Sequence, residues 1–187
     1  MLSEVTAAVT GDTTDPTDSV AFRHTMAEFA SGVTVVTALQ GGEPVGFACQ
    51  SFASVSLDPP LVLFCADRRG KSWQGIRAAG RFCVNVLAED QGELCRRFGS
   101  SRGEKFRGLE WEPSVWGTPA LPGVLARIHA DIHHVYEAGD HDVAVGRALA
   151  LERPRDGRPM VFFRGRFGID ADGFDADAVS SWQDGWI

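Results

Sequence analysis

The stretch Gly46-Phe47-Ala48-Cys49-Gln50-Ser51-Phe52-Ala53-Ser54-Val55-Ser56-Leu57-Asp58-Pro59-Pro60-Leu61-Val62-Leu63-Phe64 decides the fold. Its small and hydroxyl-bearing residues (Ala48, Ser51, Ala53, Ser54, Ser56) lie on a backbone that reads as extended. A helix is excluded at the far end, because Asp58 precedes Pro59 and a residue before proline is driven out of the helical region. Residues 61–65 read as a buried strand, and 51–60 as a loop with alternating apolar residues. Small side chains on extended backbone leave peptide N–H and C=O groups within reach of a flat heterocycle. On composition alone the same residues are a polar barrel loop with no special role.

Outward from this stretch the chain is rich in strands. Residues 33–39 are β-branched, 40–44 carry turn chemistry, and 45–49 form a second short strand, so the segment reads as a hairpin. Downstream, the pattern predicts a helix over 72–79 closed by Gly80, a strand over 82–88, a helix over 90–98 and a polar loop over 99–108. Strands follow at 125–138, 143–152 and 159–165, with Gly139-Asp140-His141 as the turn between the first two. Upstream, Asp18 or Ser19 caps a helix whose apolar stripe is Phe22, Met26 and Phe29, with its stop at Gly32. Six or seven strands with short helices between them are too closely spaced for repeated βαβ units. A closed antiparallel barrel fits, since closure removes unpaired edges.

The 187 residues suit one domain. Residues 1–17 lack periodicity and read as a disordered arm, 18–168 as the folded domain, and 169–187 as an acidic tail that Phe174, Trp182 and Trp186 anchor. The first residues show no basic and apolar leader, and no apolar run approaches the ~20 residues of a membrane helix, so the expectation is a cytoplasmic protein without membrane contact. Cys49, Cys65, Cys83 and Cys95 form no C-x-x-C pair, which argues for free thiols, with Cys65 and Cys83 in the core. A net charge of −7 argues against nucleic acid as a partner. Residues 68–107 nonetheless hold ten basic and four acidic side chains, a local excess that suits a phosphate-bearing small ligand. Solvated helix faces are the plainer reading of most of them.

The run Gly46 to Val62 resembles the G-x-T-A-N-S-F-x-S-V-S-L-D-P-P-L-V pattern of the flavin reductase-like family of FMN-binding split barrels. These are NAD(P)H:flavin oxidoreductases of two-component flavin-dependent monooxygenases. Residues 22–37 are similar to the family's opening helix and strand. Gly80-Arg81-Phe82 to Asn85-Val86-Leu87 is similar to its G-x-F-x-V-N-x-L strand, and Gly139-Asp140-His141 to its G-D-H turn. The resemblance spans roughly residues 20–168 and implies a mainly β fold, an antiparallel Greek-key split β-barrel with short peripheral helices.

It also implies a site. Ala48, Cys49, Gln50 and Ser51 would line the isoalloxazine through backbone groups, and Ser54 and Val55 would continue that wall. Gly32, Val33, Thr34, Gly80 and Arg81 would lie near the ribityl chain and phosphate, and Asp140, His141, Asp142 and Val143 would meet the nicotinamide. Ala48-Cys49-Gln50 stands where Thr-Ala-Asn is usual, so a hydroxyl is lost and a thiol gained near the ring. The implied cofactor is FAD or FMN, with NADH as the favoured co-substrate over NADPH because no 2′-phosphate clamp is visible. Hydride transfer from nicotinamide to flavin asks for no acid–base side chain. The implied partners are a monooxygenase fed by diffusing reduced flavin and a second copy of the chain in a homodimer. The alternative is a flavin-binding module for electron transfer or storage, without nucleotide turnover.

Two other features invite chemistry. His129, Asp131 and His133 alternate and share a face, opposite Ile128, Ala130 and Ile132. They read as a wetted or dimer-facing surface in preference to a metal site. Cys49 lacks the local context of a Cys–His nucleophile.

Overall fold

The structure, a computed structural model, describes residues 14–101 and 104–167. The elements are α1 (Ser19–Met26), β1 (Ser31–Gly32), β2 (Thr34–Gln40), β3 (Glu43–Cys49), β4 (Ala53–Leu57), β5 (Pro60–Asp67), α2 (Lys71–Ala79), β6 (Arg81–Val86), α3 (Gly92–Gly99), β7 (Glu112–Pro113), β8 (Pro119–Ala120), β9 (Ala126–Ala138), β10 (His141–Glu152), β11 (Val161–Phe163) and β12 (Arg166–Phe167).

Seven strands form one antiparallel sheet in the order β3-β2-β6-β9-β10-β5-β4. The two edge strands are consecutive in the chain, joined only by residues 50–52. Laid flat, the edges of seven strands would stand ~29 Å apart at ~4.8 Å per step. The link from Cys49 to Ala53 reaches ~14 Å at most. The sheet therefore curls until its edges meet, which makes it a barrel.

The seam is split, not fully laddered. β4 pairs with β5 from Ala53↔Leu63 onward. Continued upstream, that register sets Ser51 opposite Cys65. There the side chain replaces the missing ladder: the Cys65 N–H donates to Ser51 Oγ at 2.8 Å, and Ser51 Oγ donates to the Cys65 carbonyl at 3.2 Å. Cys49 Sγ lies 3.3 Å from the same hydroxyl.

The barrel interior packs Val36, Cys49, Phe64, Phe82, Val84 and Ala130. α2 caps it, burying Trp73 and Ile76, with Trp73 edge-on to Phe64. A second core outside the barrel packs Val33, Val35, Leu87 and Leu121 against α3 through Cys95 and Phe98. Gly80 closes α2 in the left-handed conformation at φ 73°.

Three expectations change. Residues 53–57 form edge strand β4, where a loop is predicted; the prolines follow the strand and shape only its turn. The stripe Phe22, Met26 and Phe29 is exposed, and α1 buries none of its residues. The helix ends at Met26, so Gly32 falls in β1. His129 is fully buried, where a wetted surface is expected. It lies 2.9 Å from Thr118 Oγ1 and 3.0 Å from Glu152 Oε1, so its polarity is satisfied inside the fold. Asp131 beside it pairs with Arg81, and His133 is exposed. Residues 1–13 of the predicted arm, and the tail with Phe174, Trp182 and Trp186, lie outside the described residues.

Gly146 faces the Phe82 ring across the barrel, and a β-carbon there would stand 2.9 Å from Cε1 and closer still to Cζ. Phe82 is fully buried and has no room to yield. Gly146→Ala is expected to cost ~2 kcal/mol by overpacking and lower Tm by roughly 4–8 °C in a calorimetric scan. An unchanged Tm would show that this wall of the barrel is loosely packed.

Candidate functional site

Which peptides of β3 point away from the sheet follows from the pairing of β2. The Val33 carbonyl accepts from Leu87 N–H, so odd residues of β2 bond toward β6 and even ones toward β3. Thr34 and Val36 lie opposite Cys49 and Phe47. Those are the ladder-bonded pairs, and the residues between them, Gly46 and Ala48, turn their N–H and C=O outward at the barrel split. The small side chains of this stretch thus flank an outward-facing backbone edge, as the sequence pattern requires.

Beside that edge, Gln50 Nε2 is buried without a hydrogen-bond partner. A buried amide donor left unsatisfied costs about 1–3 kcal/mol, so it marks a place where a ligand acceptor fits. A flavin ring offers such acceptors along its pyrimidine edge, so the residues present fit that group. Ser54 and Val55 are exposed on β4 across the split, and Gly32 is exposed on β1. Val33 and Thr34 are not available: Val33 is core, and the Thr34 hydroxyl donates to the Cys49 carbonyl at 2.9 Å. They fix the end of β3 from behind. The Cys49 side chain points into the core as well.

Gly80 and Arg81 do not join this group. Thr34 lies opposite Val86, so Arg81 sits five residues away along β6, ~17 Å at strand rise. Its guanidinium grips Asp131 with two bonds, at 2.6 and 3.2 Å, and a third reaches the Trp116 carbonyl. That pairing raises the Arg81 pKa. The residue looks like a phosphate ligand in sequence because its partner lies fifty positions downstream.

The 139–143 turn approaches from the other side of β5. Val143 is paired with Cys65, the residue that Ser51 holds, and His141 with Asp67. The His141 ring lies 2.8 Å, through Nδ1, from Asp140 Oδ1, and holds that carboxyl below its ordinary range. Asp142 is buried and cannot meet a nucleotide directly. Its Oδ2 accepts from Trp73 Nε1 at 2.8 Å and Arg77 Nη1 at 3.3 Å, and Arg68 Nε lies 3.5 Å from Oδ1 without a hydrogen bond. An open cleft of about 600 Å³ lies over these groups, lined by Arg68, Arg69, Trp73, Arg77 and Asp140. Sequence reasoning missed Trp73 and the three arginines as a cluster. The signal was the run Asp67-Arg68-Arg69-Gly70-Lys71 leading into a helix. The cleft is less basic than it looks, because Asp67, Glu137 and Asp142 pair with those arginines.

Residues 26–169 match the family described as flavin reductase like domain. The chain belongs to the flavin reductase-like family. It is 46 % identical over 186 residues to the reductase subunit HsaB of a flavin-dependent monooxygenase from Rhodococcus jostii (strain RHA1), covering 98 % of this chain and 92 % of that protein. Among solved structures it is similar to nitrilotriacetate monooxygenase component B from Mycobacterium thermoresistibile, with TM-score 0.78, 45 % identity, and coverage of 84 % and 90 %. It is also similar to the Streptomyces globisporus NADH:FAD oxidoreductase SgcE6 in complex with NAD and FAD fragments, with TM-score 0.80, 36 % identity, and coverage of 88 % and 100 %. As a flavin reductase-like protein, the chain is an NAD(P)H:flavin oxidoreductase on a mainly β, split-barrel fold. Among the described residues no helix is long and apolar enough to cross a membrane.

The cysteines of this flavin reductase are unequal. Cys49, Cys83 and Cys95 are buried, and Cys65, expected in the core, is half-buried on β5. Burial pushes the Cys83 and Cys95 thiols up to about 12 and raises that of Cys49. Since the thiolate is the reactive form, native protein at pH 8 is expected to react quickly with a disulfide reagent at no more than one thiol, Cys65. All four should react after denaturation. Two fast thiols in the native state would contradict the assignment.

Proposed function

We propose that the outward edge of β3 at Ala48, with Gln50 and Ser51, receives the flavin ring, and that the pyridine nucleotide enters over the 140–143 turn. The observation that carries this reading is the unpartnered, buried Gln50 Nε2 beside the outward Ala48 peptide. When bound, the flavin supplies the redox chemistry, taking hydride from the nicotinamide. The chain's own residues bind and orient. Ser51 fixes the seam through Cys65, Thr34 fixes Cys49 from behind, and the outward backbone N–H of Ala48 offers a donor to negative charge on a ring edge. Ser54 and Val55 border the same opening. His141, oriented by Asp140, is the side chain of the turn placed to touch the nucleotide, and Asp142 supports it by anchoring Trp73 and Arg77.

The cofactor is FAD or FMN, with NADH as reductant. The reduced flavin diffuses to a flavin-dependent monooxygenase, as the names of the Rhodococcus and Mycobacterium relatives suggest, and the protein works in the cytoplasm. The 140–143 turn beside the seam favours an enzyme over a storage module. NADH oxidation by the purified protein is therefore expected to scale with added free flavin. Gln50→Leu should raise the KM for FMN and riboflavin alike by about five- to tenfold, the loss of one hydrogen bond to the ring. NADH oxidation indifferent to added flavin would overturn the reading.

The same reading includes a homodimer. Val55 and Leu57 on β4 leave apolar surface exposed at the split, with Leu57 96 % accessible, and Phe22, Met26 and Phe29 on and after α1 are exposed as well. A second copy covers such surface and closes an open seam over a flat ring. Light scattering should give twice 20.2 kDa at micromolar concentration. A 20.2 kDa species would exclude the dimer.

A further inference from the structure

Gly46 precedes Ala48 on the outward edge of β3, and its carbonyl is already engaged. Lys105 Nζ donates to it at 3.1 Å and to the Phe98 carbonyl in the last turn of α3 at 3.0 Å. The ammonium thus joins two elements that have no ladder between them. The aromatic rings around it hold the loop in place: Phe106 packs edge-on against Phe98 at 5.0 Å and against Trp111 at 5.9 Å. Phe98 in turn lies over Gly46, where a β-carbon would come within 2.9 Å of its ring.

The geometry points to Lys105 as a positioning residue for flavin binding, one that pins the free edge of β3 so that the next outward peptide, Ala48, is held in place for the ring. This rests on the proposed location of the flavin. An edge strand with unpaired peptides bends and twists easily, whereas a strand bonded on both sides does not. Ser51 supplies the second bond beyond Ala48, at Cys65, and Lys105 supplies it before Ala48, at Gly46. The peptide in contact with the ring is bracketed by two side-chain clamps on either side. Gly46 admits Phe98, and Phe98 presents the second carbonyl, so the three residues form one unit.

The choice of residue supports the assignment. Sixteen of the eighteen cationic side chains are arginine, and Lys71 and Lys105 are the only lysines. A compact ammonium with three tetrahedral donors reaches two divergent carbonyls in a tight space, whereas a planar guanidinium suits carboxylates. Burial lowers the Lys105 pKa to about 8, so it is largely protonated at neutral pH despite its enclosure.

The test uses the full chain and compares wild type with K105M, K105R and K71M by titration with riboflavin and FMN. Lys105→Met is expected to raise the Kd for both flavins by about tenfold, equivalent to ~1.4 kcal/mol. Its kcat at saturating flavin should change little, and K105R should recover part of the affinity. Lys71→Met should bind riboflavin like wild type. A folded K105M with wild-type riboflavin affinity overturns the inference, whatever its Tm, because a merely structural clamp would move Tm alone. Wild-type protein that binds neither flavin overturns the site itself, and this inference with it.

Should K105M fail to fold, the wild type answers the same question. With two lysines, an isotope-labelled lysine side-chain NMR spectrum holds two resonances. Riboflavin, which has no phosphate, should shift the resonance that titrates near 8 and leave that of Lys71 in place. A Lys105 resonance and titration midpoint unmoved by saturating riboflavin would refute the positioning role.

Discussion

A seven-stranded sheet whose two edges are tied by three residues has to close. The link 50–52 cannot cross the width of a flat sheet, so every strand tilts and twists until β3 comes up against the far edge of the sheet at β5. Closure ordinarily joins edges by a ladder. Here the ladder stops at Ala53, and one hydroxyl, Ser51, bonds both the N–H and the carbonyl of Cys65 in its place. The barrel is thus closed mechanically and left open chemically. A continuous ladder would have consumed the peptides that a ring edge needs, and an unbonded seam would have left them without fixed positions.

From that constraint the remaining parts of the site take their places. Residues 46 and 48 face outward because Thr34 and Val36 take the ladder bonds of 49 and 47. Thr34 is therefore important from inside the core. Trp73 enters the barrel mouth because α2 must cap it, and its indole N–H needs an acceptor there, which Asp142 provides from the neighbouring hairpin. Asp142 is positioned by the need to satisfy a buried tryptophan, and His141 and Asp140, bonded to each other, are left outside that arrangement.

The sequence made the barrel legible because strand spacing, turn residues and one long motif agreed, and consistency across such signals is what a foldable sequence shows. It made β3, β6, β9 and β10 legible through β-branched and alternating residues. It misled at β4, where two prolines dominate the reading although they stand in and after the turn. It misled at His129, because alternation assigns faces but not which face is dry. In a barrel with a second core outside, both faces of a strand are covered, and polar residues there are satisfied internally by Thr118 and Glu152. Of the motif residues, Ala48 presents an outward-facing peptide, whereas Cys49 is ladder-bonded and turned into the core. The separation of Gly80 and Arg81 from them was not legible, because distance along a strand is invisible until the register is known.

Charge shows the same limit more sharply. Residues 68–107 carry a local excess of six positive charges, which suggests an anion site in a chain of net charge −7. Folding brings Asp131, Glu137 and Asp142 from two later strands against Arg81, Arg68 and Arg77. Antiparallel pairing set their positions: Asp131 is the register partner of Arg81 itself. The two exposed pairs, Arg68–Glu137 and Arg81–Asp131, contribute little to stability. Their effect is on the field, since a paired guanidinium attracts a distant phosphate far less than a bare one. An incoming phosphate at the cleft competes with carboxylates already in place, so recognition there depends on exchange of partners and not on attraction to a free patch. On the proposed reading of the site, specificity then falls to the neutral groups at the seam, with Gln50 Nε2 and the Ala48 peptide free to hydrogen-bond. On that same reading, a weak grip on the charged tail and a geometric grip on the ring suit a protein that must release what it has reduced.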